Sequence, residues 1–275
     1  MEKDKAKSDQ DKKLDIMKKD FRRLYEANLH GKTVYILKEN NRIKSITFEK
    51  PVSIEIFPSL KCNVNCASCD RGVEKSQLED FNGIKILRDN LSKSINFKML
   101  NFIISGREPT LYPKVNELID FLRQVDPFAE IEFFTNAIEL KRLTRKSLAA
   151  VKLAVSVYPE TQGVLRKDKF IVDLFKSRGL SLKVNTRLHE DLSKYGATRK
   201  NFNPFSRCFT VVLLCGTKKI YPCCRAHKLE QMHEKKYHLY VDTENLYEKL
   251  KNIIKNTDLC SHCPRIYADY GIMAT

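Results

Sequence analysis

Three cysteines, Cys62, Cys66 and Cys69, fall within the stretch "KCNVNCASCD" (61–70). Positions i, i+4 and i+7 would share one face of a helix. Against a helix, Asn63, Asn65, Ser68 and Asp70 all prefer turns, and Pro58 interrupts the chain just before them. The run is therefore expected to be a loop. Three thiolates from a short loop suit a cubane iron–sulfur cluster, which cysteine sulfur normally holds. Three ligands for four irons would leave one iron open to a small molecule, whereas a structural zinc site would want a fourth closing ligand, which the neighbouring sequence does not offer.

Six more cysteines follow: Cys208, Cys215, Cys223, Cys224, Cys260 and Cys263. The N-terminal "MEKDKAKSDQDKK" lacks the apolar run of a signal peptide, and no stretch reaches the roughly 18 apolar residues of a membrane span. A cytoplasmic protein is expected, with no membrane partner. In a reducing compartment an odd count of nine cysteines in close clusters points to thiolate ligands or catalysis rather than disulfides. The formal charge of +16 suits a polyanionic partner, but the lysines are spread along the chain with no aromatic-interleaved basic motif. A solvated lysine-rich surface is favoured over a nucleic-acid face.

The elements that must position these cysteines change character along the chain. Leu14, Met17, Phe21 and Leu24 have helical spacing, so an amphipathic helix is expected near the N-terminus. "KTVYILKENNRIKSITFEK" predicts two strands joined through Glu39, Asn40 and Asn41. From Pro51, strand-like and helix-like segments alternate: "VSIEIF" (52–57), "GIKILRDNLSKS" (83–94), "KMLNFIIS" (98–105), "YPKVNELIDFLRQV" (112–125, opened by Pro113), "AEIEFFT" (129–135), "KSLAAVKLAVSVY" (146–158), "FIVDLFKSRG" (170–179) and "LSLKVNTRL" (180–188). Such alternation argues for a parallel sheet with right-handed crossovers, whose reactive loops lie beyond the C-terminal strand ends. The first cysteine loop directly follows the first of these strands. After Phe202 the alternation stops; "CFTVVLLCGTKKIYPCC" (208–224) predicts a hairpin turning at Gly216–Lys219, and a helix over about 243–255 leads to "CSHC" (260–263).

The spacing CxxxCxxC after a first strand resembles the radical SAM superfamily. The resemblance implies an α/β fold, a partial (β/α)6 TIM-like barrel with a small C-terminal cysteine-rich α+β module. It implies a [4Fe–4S] cluster on Cys62, Cys66 and Cys69 that binds the amino and carboxylate groups of S-adenosylmethionine. One electron then cleaves the sulfonium to methionine and a 5′-deoxyadenosyl radical, which abstracts hydrogen from substrate. "SGREP" (105–109) is similar to the family's glycine–glycine–glutamate–proline element, with Ser105 and Arg107 as departures. Gly106, Arg107 and Glu108 are thereby candidates for cofactor binding, Glu108 as acceptor for the methionine ammonium. "VSVYPETQGVLR" (155–166) offers Ser156 and Arg166 for the methionine carboxylate, and "VNTRL" (184–188) offers Asn185 for the adenosine. Many relatives have an aromatic residue before the third cysteine; this chain has Ser68.

The C-terminal pattern is similar to the "twitch" module, related to the SPASM domain, that binds a second, auxiliary [4Fe–4S] cluster. Cys208, Cys223, Cys260 and Cys263 are the implied ligands, with Cys224 or Cys215 as substitutes; a four-cysteine zinc knuckle is the alternative. The expected organisation is an N-terminal helix and hairpin extension (1–50), a barrel (51–200) and the auxiliary module (201–275). The resemblance implies an oxidoreductase-like enzyme whose auxiliary cluster serves oxidation or substrate binding. It would need an electron donor such as flavodoxin or ferredoxin. About fifty residues before the barrel are short for a leader-binding domain, which favours a small anionic, sugar or nucleotide substrate over a peptide. No general base stands out: Tyr158, Glu160, His189 and Glu190 lie near predicted strand ends, and each reads as surface or SAM-pocket scaffolding rather than as a proton acceptor. A zinc-containing protein that binds RNA or another protein is the non-enzymatic alternative, and it leaves "SGREP" unexplained.

Overall fold

The computed structural model describes residues 23–29, 32–40, 42–47, 51–59, 61–64, 82–92, 99–180, 210–214, 217–257 and 259. Cys66, Cys69, Asn185, Cys208, Cys215, Cys260 and Cys263 lie outside the described residues, as do Leu14, Met17 and Phe21.

Two sheets carry the architecture. The first is a three-stranded antiparallel meander of β1 (Arg23–Leu29), β2 (Lys32–Glu39) and β3 (Arg42–Thr47). The expected hairpin is present as β2 and β3, turning at Asn40 with φ +50°, a backbone conformation that asparagine tolerates better than most side chains. Leu24, expected on a helix, lies instead in β1, paired with Leu37. Pairing with β2 along the whole strand outweighs the weak helical periodicity that Leu24 shared with three residues.

The second sheet has seven strands in the order β10-β9-β8-β4-β5-β6-β7. Its centre is β4 (Val52–Phe57), flanked by β5 (Met99–Ile104) and β8 (Thr210–Leu214), both parallel to it. β6 (Glu130–Thr135) and β7 (Lys152–Val155) extend the parallel part beyond β5. On the other side β9 (Lys219–Tyr221) and β10 (Leu239–Tyr240) add antiparallel strands to β8. The chain is thus α/β with a largely parallel central sheet, and the hairpin that follows Phe202 is part of that same sheet, beside β4.

Register explains the core. Val211, Ile54, Phe102 and Ile131 lie side by side across four strands, and Leu213, Ile56, Ile104 and Phe133 form the next row. All eight are at most 1% exposed. Burying side chains of this size contributes roughly 2 kcal/mol each against leaving them in water. The opposite face of the sheet is more polar: Glu55, Ile103, Glu132 and Lys152 are neighbours across four strands, and Lys152 bridges Glu130 (3.0 Å) and Glu132 (3.4 Å).

Helices α1 (Asn82–Ser92), α2 (Val115–Val125), α3 (Arg145–Ala150), α4 (Pro159–Lys167) and α5 (Lys169–Ser177) follow the strands. Their starts are chemically specified. The Thr144 side chain accepts from the Ser147 N–H, and Asp168 accepts from Phe170 and Ile171. Pro159 occupies the first turn of α4, while Pro113 stands just before the cap of α2 rather than inside it. α6 (Ala226–His233) and α7 (Leu246–Asn256) belong to the C-terminal segment; α7 matches the helix expected there, and α6 was not legible in the sequence. No helix among the described residues is long and apolar enough to cross a membrane.

Candidate active site at the strand ends

The C-terminal ends of β4, β5, β6 and β7 lie at one rim, and the loop carrying Cys62 leaves from it. Cys62 is half-buried, and its Sγ accepts from the Val64 N–H at 3.4 Å. The turn after β5 touches the end of β4 and this loop at three points. Ser105 N–H donates to the Ile56 carbonyl (3.0 Å), and Glu108 N–H donates to the Lys61 carbonyl (3.1 Å). Gly106 has φ +108°, and a Cβ added there would stand 3.0 Å from the Ser59 carbonyl oxygen. Only glycine takes this backbone conformation readily and also permits so close an approach.

Glu108 is fully buried. Its Oε1 accepts from the Thr110 N–H (3.1 Å), the Thr110 hydroxyl (2.5 Å) and the Thr135 hydroxyl (2.8 Å), and its Oε2 accepts from the Asn136 N–H (2.8 Å). Burial raises its pKa, and these hydrogen bonds pull in the opposite direction without cancelling it. The carboxylate expected to meet an external ammonium is therefore engaged with the protein itself, tying the turn after β5 to the end of β6.

Asn136 extends that tie. Its Nδ2 donates to Asn63 Oδ1 at 2.7 Å, and its Oδ1 accepts from the Ile138 N–H at 3.1 Å. Ala137 beside it is fully buried with φ +67°, and its N–H donates to the Thr135 hydroxyl (2.9 Å). Thr135 and Asn136 did not stand out in the sequence, and Asn63 stood out only as a turn former. The available signal was "TN" directly after an apolar strand, a turn signature that by itself names no partner.

The other expected site residues fall as follows. Ser105, a departure from the family element, donates its hydroxyl to Glu55 of β4; both are buried. Arg107 is half-buried in the turn itself. Ser156 is half-buried at the end of β7, its N–H donating to the Thr135 carbonyl (2.9 Å). Arg166 is not brought to the rim. It is exposed on the last turn of α4, roughly 12 Å along the helix from Tyr158 at a 1.5 Å rise per residue. The short spacing from Ser156 places it at the far end of a nine-residue helix. Tyr158 and Glu160 begin that helix, and the Thr161 hydroxyl accepts from the Tyr158 N–H (3.0 Å).

In the C-terminal segment Cys223 and Cys224 are half-buried and pack against the main core. Beyond them Glu230 of α6 accepts from Tyr237 N–H (2.7 Å), His238 N–H (3.2 Å) and the Tyr221 hydroxyl (3.3 Å), and sits 2.8 Å from His238 Nδ1. Burial would push its carboxyl up, but the hydrogen bonds and the imidazole hold it below the ordinary value.

Among the described residues no group of three or more His, Cys, Asp or Glu is placed to hold a metal ion. Of the first cysteine run Cys62 is described, and it has the chemistry asked of a single cluster ligand: a half-buried thiol at the rim, its sulfur already accepting an N–H, on a loop pinned by two strand-end turns.

No family model matches the chain, and no curated protein matches it in sequence. Among solved structures it is similar to the crystal structure of BtrN in complex with AdoMet and 2-DOIA, at 17% identity and a TM-score of 0.46, over 78% of this chain and 93% of that one. It is also similar to Streptococcus suis SuiB bound to S-adenosylmethionine, at 11% identity and a TM-score of 0.42, over 73% of this chain and 63% of that one. A third similarity is to SuiB bound to the precursor peptide SuiA, at 13% identity and a TM-score of 0.37, over 73% of this chain and 64% of that one.

Proposed function

We propose that the chain is a radical SAM enzyme. Cys62, Cys66 and Cys69 would hold a [4Fe–4S] cluster, and the turn at Gly106 and Arg107, with Ser156 and Asn185, would receive S-adenosylmethionine. When bound, this pair supplies one-electron reductive cleavage of the sulfonium and a 5′-deoxyadenosyl radical that abstracts hydrogen from substrate. An electron donor such as flavodoxin or ferredoxin would feed it. The observation that carries the reading is the bracketing of Cys62, with the Lys61 carbonyl held by Glu108 N–H and the Asn63 side chain held by Asn136. Cys62, the first cysteine of the CxxxCxxC run, and the "SGREP" turn, about forty residues apart in sequence, thus lie together at the C-terminal rim of a parallel sheet, where such sheets carry their chemistry.

The chain's own residues would do two things at this rim. The Gly106 turn presents backbone close to the loop, with no side chain in the way. The rows of apolar side chains beneath hold the four strand ends at fixed spacing. Cys208, Cys223, Cys260 and Cys263 would hold an auxiliary [4Fe–4S] cluster, with Cys224 or Cys215 as a substitute. The substrate class proposed is a small anionic, sugar or nucleotide molecule, oxidised or bound with help from that second cluster.

Protein purified without oxygen tests the metal assignment. The expected result is brown protein with iron and sulfide approaching eight atoms each per chain, the content of two four-iron clusters. Protein lacking Cys260 and Cys263 (Cys260→Ala, Cys263→Ala) should retain half. Colourless protein carrying stoichiometric zinc would contradict the reading.

A further inference from the structure

We propose that Asn136, acting with Glu108, is a positioning residue for Cys62. The inference rests on the reading of Cys62 as a cluster ligand, yet the contacts stand independently of it. On one flank of Cys62 the Lys61 carbonyl accepts from the Glu108 N–H at 3.1 Å. On the other, Asn63 Oδ1 accepts from Asn136 Nδ2 at 2.7 Å. The two anchors are joined to each other, because the Asn136 N–H donates to Glu108 Oε2 at 2.8 Å. Asn136 is thereby held at its backbone, at its Oδ1 by Ile138 and on its neighbour's side by Thr135, leaving its NH2 group to face the loop.

The asymmetry of burial makes this a device rather than a local turn. Glu108, Thr135 and Asn136 are all at most 5% exposed, while Asn63 is exposed. A rigid, buried triad thus reaches out to a surface loop and fixes the residue next to the thiol. The bond from Asn136 is thus where the buried triad meets this loop. An unbraced loop would let Cys62 sample positions from which its sulfur could not share a cluster with two other cysteines, since ligand atoms must be preset to be shared productively.

The test uses the full chain in three variants, Asn63→Ala, Asn63→Asp and Asn136→Ala. The first readout is the alkylation rate of each cysteine in the reduced, chelator-treated protein, resolved by peptide mass spectrometry with Cys223 as internal control. The expected result is alkylation of Cys62 about fivefold faster in N63A and N136A, the factor for one ordinary hydrogen bond. Cys223 should be unchanged, and N63D, which keeps the acceptor, should return Cys62 to the wild-type rate. The second readout is the EPR spectrum of the anaerobically loaded, dithionite-reduced protein, expected to shift in N63A and to match wild type in N63D. Equal Cys62 rates in wild type and N63A would overturn the brace, and so would failure of N63D to restore the rate. If instead wild type takes up no iron while N63A still accelerates Cys62 alkylation, the brace holds and the cluster reading falls.

Discussion

At the scale of single residues, two backbone positions at the rim sit in conformations that side chains resist, and they predict opposite outcomes. Gly106 at φ +108° faces the Ser59 carbonyl, so Gly106→Ala adds both strain and a contact at 3.0 Å. It should cost about 2 kcal/mol or more in urea denaturation. Ala137 at φ +67° already bears the left-handed penalty. Ala137→Gly removes it, offset partly by a freer unfolded chain, and should stabilise by about 0.5 kcal/mol in the same assay. Of these residues the sequence made Gly106 and Glu108 legible, through "SGREP", and left Ala137 and Asn136 hidden. A glycine in a turn announces its conformation, whereas an alanine at positive φ is imposed by its surroundings. Glu108 was legible as a candidate but its protein partners were not, because the four donors around its carboxylate come from Thr110, Thr135 and Asn136, and the last two lie at and just beyond the end of β6. For Arg166 the short distance along the chain from Ser156 was visible, but not the nine-residue helix whose last turn carries it.

At the scale of elements, α6 is held to β9 and to the residues that lead into β10 by Glu230, whose carboxyl lies below its ordinary value near 4.5. A carboxyl with a lowered native pKa contributes stability above its unfolded pKa and loses it as pH falls through the native one. The wild-type protein should therefore be more stable than Glu230→Gln at pH 7, and the difference should shrink as pH is lowered below about 4.5. Thermal melts of the two proteins across pH 3–7 measure this; a difference constant across that range would show that Glu230 is not the group that titrates. α6 itself was invisible because "RAHKLEQMH" is short and polar and earns its place by packing Tyr221 against His227 (5.5 Å between ring centroids). The alternating segments between Pro51 and Arg178 were legible because each strand is apolar on the helix-covered face and each helix carries one apolar stripe, as with Leu118, Ile119 and Leu122 of α2.

At the scale of the whole molecule, β8 is the element that sequence order conceals. It follows the alternating region by a long interval yet pairs in parallel with β4 from Ser53 to Phe57, placing Val211–Leu214 in the core at 0–1% exposure. Pairing between strands so far apart in sequence is not encoded by local pattern. A chain truncated to residues 1–200 should accordingly lose its cooperative calorimetric transition, while the full chain melts in one; a truncated chain with a sharp transition of its own would contradict this. The same sheet gives the central claim its setting, since the β4 that β8 completes is the strand from which the cysteine loop departs. The most direct measurement is formation of 5′-deoxyadenosine when the anaerobically loaded protein is given S-adenosylmethionine and dithionite. Wild type should produce it and Cys66→Ala should not; production by Cys66→Ala at the wild-type rate, or none by iron-replete wild type, would contradict the account.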